Sequence, residues 1–217
     1  MEAFVRLQKC GSQSMKDSCQ GNLHMLNHGY CYDIKKKITG DIWLNLPIWD
    51  KDKYEKLYAL VRNPFDALKS YYFHNHSIKH KLTAKNKAQF PVDYNRIDGW
   101  CFVNQIHEFN SWWDFLDSYI DPNFEWHLPP MKKSLYSFAY DKDFNLVIDR
   151  FFKLEEKDEL NKFLKSKGMR NLGYNKATVT QKVEKYNRYY KPHHVDALNK
   201  IWDRDLEYFE YSYNEKI

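Results

Sequence analysis

The chain is poor in the residues that break, staple or anchor a fold. Only 7 Gly and 7 Pro occur in 217 residues, which excludes a collagen-like, loop-dominated or low-complexity protein. No apolar run approaches the ~20 residues that a membrane-spanning helix needs. Glu2 and Arg6 interrupt the early apolar stretch, and no small-residue cleavage site follows. The N-terminus therefore does not read as a secretory leader, and a cytoplasmic protein is expected. Four cysteines, Cys10, Cys19, Cys31 and Cys101, form no CxxC pair, and no His pair completes a zinc knuckle with them. In a reducing compartment they are expected to be free thiols. Dense basic stripes are also lacking: the net charge of +5 suits an anionic ligand but not a dedicated nucleic-acid binder.

Apolar and aromatic residues are abundant instead, at 43% and 18%, enough for one globular domain spanning 1–217 with a substantial core. Residues 3–8 read as a strand, and a helix is expected from Ser12 to about Leu26. Residues 29–34 and 56–61 read as two more strands; KLYALV at 56–61 is a nearly continuous apolar run, as in a strand covered on both faces. The intervening KKKITGDIWLNLPIWD reads as irregular, with Trp43, Leu44 and Leu46 facing inward. Asn63, Pro64 and Asp66 together mark a helix start: an N-cap, a first-turn proline, and a carboxylate opposing the helix dipole. Residues 79–98 are polar and read as a surface excursion near an acceptor site. A helix is expected from about Trp100 to Tyr119, and strands at 135–140 and 146–152. Helices follow at 155–167, closed by Gly168, and from Pro192 to Phe209. Strands alternating with helices predict an α/β fold with a mainly parallel central sheet, P-loop-like and flanked by helices.

Two segments carry chemistry, both where a strand feeds a helix. Lys9-Cys10-Gly11-Ser12-Gln13-Ser14-Met15 combines a cation with a Gly/Ser turn whose backbone N–H groups can face an anion. It is not a Walker A loop, because its Lys precedes the glycine. In Val61-Arg62-Asn63-Pro64-Phe65-Asp66-Ala67-Leu68-Lys69-Ser70-Tyr71-Tyr72, Arg62 ends a buried strand, where a charge needs a partner. That partner is an anionic ligand or a carboxylate such as Asp66. Lys9 and Arg62 stand 53 positions apart.

Together these segments resemble the sulfotransferases that use 3′-phosphoadenosine 5′-phosphosulfate, in particular the carbohydrate branch of heparan 2-O- and chondroitin type. KCGSQSM is similar to that family's 5′-phosphosulfate loop, with Cys10 and Gln13 as departures. VRNPFDALKSYY is similar to its 3′-phosphate motif, with Ala67 where an Arg is usual. Looser likeness runs through SWWDFLDSYI, WHLPP, FFKLEEKDELNKFL, Gly173–Thr178 and WDRDLEYFEY.

The resemblance implies transfer of a sulfuryl group to an acceptor hydroxyl, most simply on a glycan. Lys9 would stabilise the charge on the bridging oxygen. Gly11, Ser12, Gln13, Ser14 and Met15 would hold the 5′-phosphate, Arg62 and Ser70 the 3′-phosphate, with Asn175 and Lys176 as further contacts. Asp41 is the first choice for the base that takes the acceptor proton, followed by His28 and Asp33. No metal is implied. His74, His76 and His80, in a Lys-rich stretch, read as surface residues, and His127 as packing beside Trp126. Two alternatives remain open: a P-loop kinase of nucleosides or small molecules, which would need a Lys after its glycines and a Mg²⁺ ligand set, and a non-catalytic protein that binds nucleotide or acidic glycan.

Overall fold

The computed structural model describes residues 1–7, 10–18, 23–26, 29–33, 35–39, 42–45, 48–79, 106–126, 134–172 and 188–213; for Ser12, Gln13, Asp17, 35–39, 42–45, 75–79 and His107 this covers the backbone alone. Four parallel strands form the central sheet: β1 (Glu2–Val5), β2 (His24–Met25), β5 (Lys56–Val61) and β6 (Arg150–Lys153), in the order β2-β1-β5-β6. Registers are regular, Val5 facing Ala59 and Val61 facing Lys153. A separate antiparallel pair joins β3 (Lys35–Thr39) to β4 (Ile42–Asn45).

Strand alternation divides the core into two layers. Ala3 and Val5 of β1, with Leu57, Ala59 and Val61 of β5, face one layer. Phe4, Tyr58, Leu60 and Phe152 face the other. On the first side lie α2 (Pro64–Lys79), α3 (Trp112–Ile120), α5 (Pro192–Ile201) and α6 (Asp203–Tyr208), packed through Phe65, Leu68, Phe115, Leu116, Leu198 and Phe209. On the second lie α1 (Ser12–Ser18) and α4 (Lys157–Ser166), through Met15, Leu160, Phe163 and Leu164. Both faces of the sheet are thus covered, as the apolar run of β5 requires. No helix among the described residues is long and apolar enough to cross a membrane.

Several expectations are corrected. The helix expected to reach Leu26 ends at Ser18, because His24 and Met25 pair with Ala3 and Phe4 as an edge strand. Of the strand expected at 29–34, the described residues 29–33 join no sheet; Tyr30 makes an isolated bridge to Ile48, and Trp49 Nε1 donates to the Gly29 carbonyl at 3.0 Å. The stretch read as irregular holds β3 and β4, while Trp43, Leu44 and Leu46 have side chains outside the described residues. Of the helix expected from Trp100 to Tyr119, residues 100–105 lie outside the described residues; the described part holds a 3-10 turn at Ile106–Glu108 and then α3, which begins at Trp112, where the Ser111 hydroxyl accepts from the Asp114 amide at 3.1 Å. Residues 135–140 form a tight turn at Ser137–Ala139 rather than a strand. The last helix divides at Trp202. Residues 80–98 of the excursion lie outside the described residues.

Candidate functional site

β1 and β5 are hydrogen-bonded neighbours, yet the chain leaves them in opposite directions. From β1 it passes through α1, on one face, to β2 at one edge of the sheet. From β5 it enters α2, on the other face, and arrives at β6 on the opposite edge. The loops that follow β1 and β5 therefore part above the boundary between the two strands. In open parallel sheets this switch point, at the carboxyl ends, is where ligands bind. The two segments singled out in the sequence are these two loops.

They touch each other. The Cys10 thiol is fully buried, within hydrogen-bonding reach of the Arg62 backbone and the Tyr136 hydroxyl, and burial pushes its pKa up. The Tyr136 hydroxyl also donates to the Arg62 carbonyl. Gly11 follows at φ +74°, in the left-handed region, and a Cβ there would stand 3.2 Å from Leu60 Cδ2 and 3.4 Å from Leu154 Cδ1. Glycine is required both for the turn and for the close approach of α1 to the sheet. The turn opens α1, whose first amides, those of Ser12, Gln13 and Ser14, have no carbonyl within the helix to bond. Met15, expected among the ligand contacts, belongs elsewhere: its amide donates to the Gly11 carbonyl at 3.0 Å and its side chain is buried against the second core layer.

On the β5 side, the Asn63 side chain accepts from the Phe65 amide at 3.1 Å and donates to the Ser212 carbonyl at 3.0 Å, fixing where α2 begins. The Asn63 amide donates to Glu155, which also accepts from the Tyr211 hydroxyl. Arg62 forms an ion pair with Asp66. Lys69 Nζ lies 3.1 Å from the other oxygen of the same carboxylate. The Asp66 side chain is 3% exposed, so the two cations meet across a carboxylate removed from water. Ser70, half-buried, follows one turn after Asp66 on the same side of α2. Ala67 is 1% exposed, which explains why the arginine usual at that motif position has no room here.

Among the residues proposed from sequence, Gly11, Ser12, Gln13, Ser14, Arg62 and Ser70 are gathered at this boundary by the fold. Lys9, His28, Asp41, Asn175 and Lys176 lie outside the described residues, as do His127 and the side chains of His76 and His80. Cys10 and Cys31 are free thiols, as expected.

Two polar clusters escaped the sequence reading. Asp205, fully buried, accepts from the Ser134 hydroxyl at 2.6 Å, the Tyr140 hydroxyl at 2.7 Å and the Leu135 amide at 3.1 Å. Burial pushes its pKa up to about 6 against the opposing effect of those donors. It ties the C-terminal helix to the turn that delivers Tyr136 to Arg62. The second cluster joins α3 to α5. His194, buried, has Nε2 2.8 Å from Asp117 Oδ1, and its Nδ1 accepts from the Lys191 amide at 3.3 Å. With Nδ1 accepting, the ring proton sits on Nε2 and faces the carboxylate. His193, His194 and Asp117 are close enough to gather a cation; the hydrogen bond between His194 and Asp117 clasps α3 to α5.

Comparison with protein-family models, with curated proteins and with solved structures finds no match.

Proposed function

We propose that the chain is a sulfotransferase that binds 3′-phosphoadenosine 5′-phosphosulfate across the boundary between β1 and β5, in a P-loop-like site. The observation that carries this reading is the meeting of the two segments. Each carries residue types suited to an anion, and they flank one switch point with Cys10 against Arg62.

In this reading the turn at Gly11 and the α1 amides take the 5′-phosphate, and Arg62 with Ser70 takes the 3′-phosphate, which distinguishes this donor from ATP. The acceptor oxygen bonds to sulfur as the bond from sulfur to the bridging oxygen breaks, and the adenosine 3′,5′-bisphosphate leaves with that oxygen's charge. Lys9 stabilises that charge, and Asp41 or His28 receives the acceptor proton. No metal is needed, because positioning and fixed positive charge suffice to lower the barrier. The acceptor is a hydroxyl, most simply of a glycan.

Transfer of radiolabelled sulfate from the donor into a panel of glycans, lipids and small phenols tests the activity. Label in an acceptor without added Mg²⁺ is the expected result. A thermal-shift panel separates the alternatives: stabilisation by ATP with Mg²⁺ alone would indicate a kinase, and stabilisation by acidic glycan alone a binding protein.

A further inference from the structure

Resting on that reading of the site, we propose that Tyr136 is a positioning residue that sets the 5′-phosphate segment and the 3′-phosphate segment at the spacing the donor nucleotide needs. It is buried, 1% exposed, and acts through Cys10 and Arg62 rather than on the nucleotide itself. Three observations carry the assignment.

First, among the described residues the ladder between β1 and β5 ends at the pair Val5 and Ala59, short of both Cys10 and Arg62, and the chain then leaves the two strands toward opposite faces. Second, the Tyr136 hydroxyl meets both segments beyond the end of that ladder. It donates to the Arg62 carbonyl, and its oxygen lies within hydrogen-bonding reach of the Cys10 thiol. A hydroxyl has one proton to give and lone pairs left to accept, so one atom can serve both loops. Third, the tyrosine is itself held from outside the site. Its amide donates to Ser134 Oγ at 2.9 Å, its carbonyl accepts from the Ala139 amide at 2.7 Å, and its ring packs edge-on to Phe209 with centres 5.4 Å apart. The Ser134 hydroxyl donates in turn to the buried Asp205 at 2.6 Å. A chain of satisfied, buried hydrogen bonds of this kind leaves the tyrosine little freedom. The donor carries its two phosphates on one ribose, at a separation the ligand itself dictates. Two grips already standing at that separation capture both ends at once, and the second contact then costs little further ordering.

Calorimetric titration of the whole chain with adenosine 3′,5′-bisphosphate and, separately, with adenosine 3′-phosphate and adenosine 5′-phosphate tests the assignment. Tyr136→Phe removes the hydroxyl and keeps the ring against Phe209. It should weaken bisphosphate binding about tenfold, the usual worth of a buried hydrogen bond, and each monophosphate less than about threefold. A ligand held by one grip is indifferent to where the other stands. A residue needed only for the fold would not single out the ligand that spans both. If Tyr136→Phe binds the bisphosphate as tightly as the wild type, or weakens all three ligands alike, the role of Tyr136 is overturned while the proposed function stands. If the wild type binds none of the three, the function itself falls, and the Tyr136 assignment with it.

Discussion

Gly11→Ala tests the turn on which the first half of the site depends. Two costs combine. An alanine held at φ +74° occupies the left-handed region, at about 1–2 kcal/mol. Its methyl carbon would also stand 3.2 Å from Leu60 Cδ2 and 3.4 Å from Leu154 Cδ1. Leu60 is 1% exposed and packs among Phe4, Met15 and Phe152, so it can yield only by displacing other core side chains. Overpacking of this kind adds about 1 kcal/mol or more. The stabilisation that Gly→Ala often brings through the unfolded chain applies only where the native backbone suits alanine, and here it does not. The sum is about 2–3 kcal/mol. In urea the unfolding midpoint should fall while the slope stays that of the wild type, because the surface exposed on unfolding is unchanged. The thermal midpoint should fall by roughly 4–12 °C for a chain of this size. Bisphosphate binding should weaken too, since the α1 amides are aimed by this turn. An alanine variant as stable as the wild type would refute the left-handed turn and the close seat of α1 on the sheet.

Asn63→Ala removes the N-cap of α2 and strands the Ser212 carbonyl; a loss of about 1–2 kcal/mol is expected in urea unfolding, and a loss under a few tenths would deny the cap. Asp205 gives a pH signature. Its folded pKa, about 6, lies above its ordinary value, so its contribution to stability is fully present below about pH 4 and declines as pH rises through about 6. The full change is about 3 kcal/mol. Because Glu2 and Asp141 have lowered pKa values and act in the opposite sense, the measurement is the stability of the wild type minus that of Asp205→Asn. That difference should fall between about pH 4 and pH 7, and a flat difference would contradict the buried, charge-disfavouring setting.

What the sequence revealed and what it concealed divide along the range of the interactions involved. The apolar run 56–61, the Asn63-Pro64 helix start and the Gly168 stop depend on neighbours a few residues away, and the structure has all three, with Gly168 at φ +68°. The pairing of His24–Met25 with β1 cannot be read locally. Two residues inside an otherwise helical pattern become a strand only because β1 offers an open edge. The turn at Ser137–Ala139 likewise depends on Asp205, a residue 65 positions from Tyr140 in a charge-rich helix whose pattern suggests solvent. At the site, the residue types were legible because strand–helix junctions concentrate glycine, serine and arginine. The Asp66 bridge between Arg62 and Lys69 was visible only in part. Asp66 appeared as a competing partner for Arg62, and helix α2 makes it the link to a second cation.

In the proposed function, Arg62 binds the phosphate that distinguishes this donor from ATP. Calorimetric titration of adenosine 3′,5′-bisphosphate into the wild type and into Arg62→Ala, without Mg²⁺, tests it most directly. The wild type should bind, and the variant should lose at least about tenfold in affinity through the loss of a charged, two-pronged contact. Equal affinity in the two proteins, or no binding to the wild type, would contradict the account.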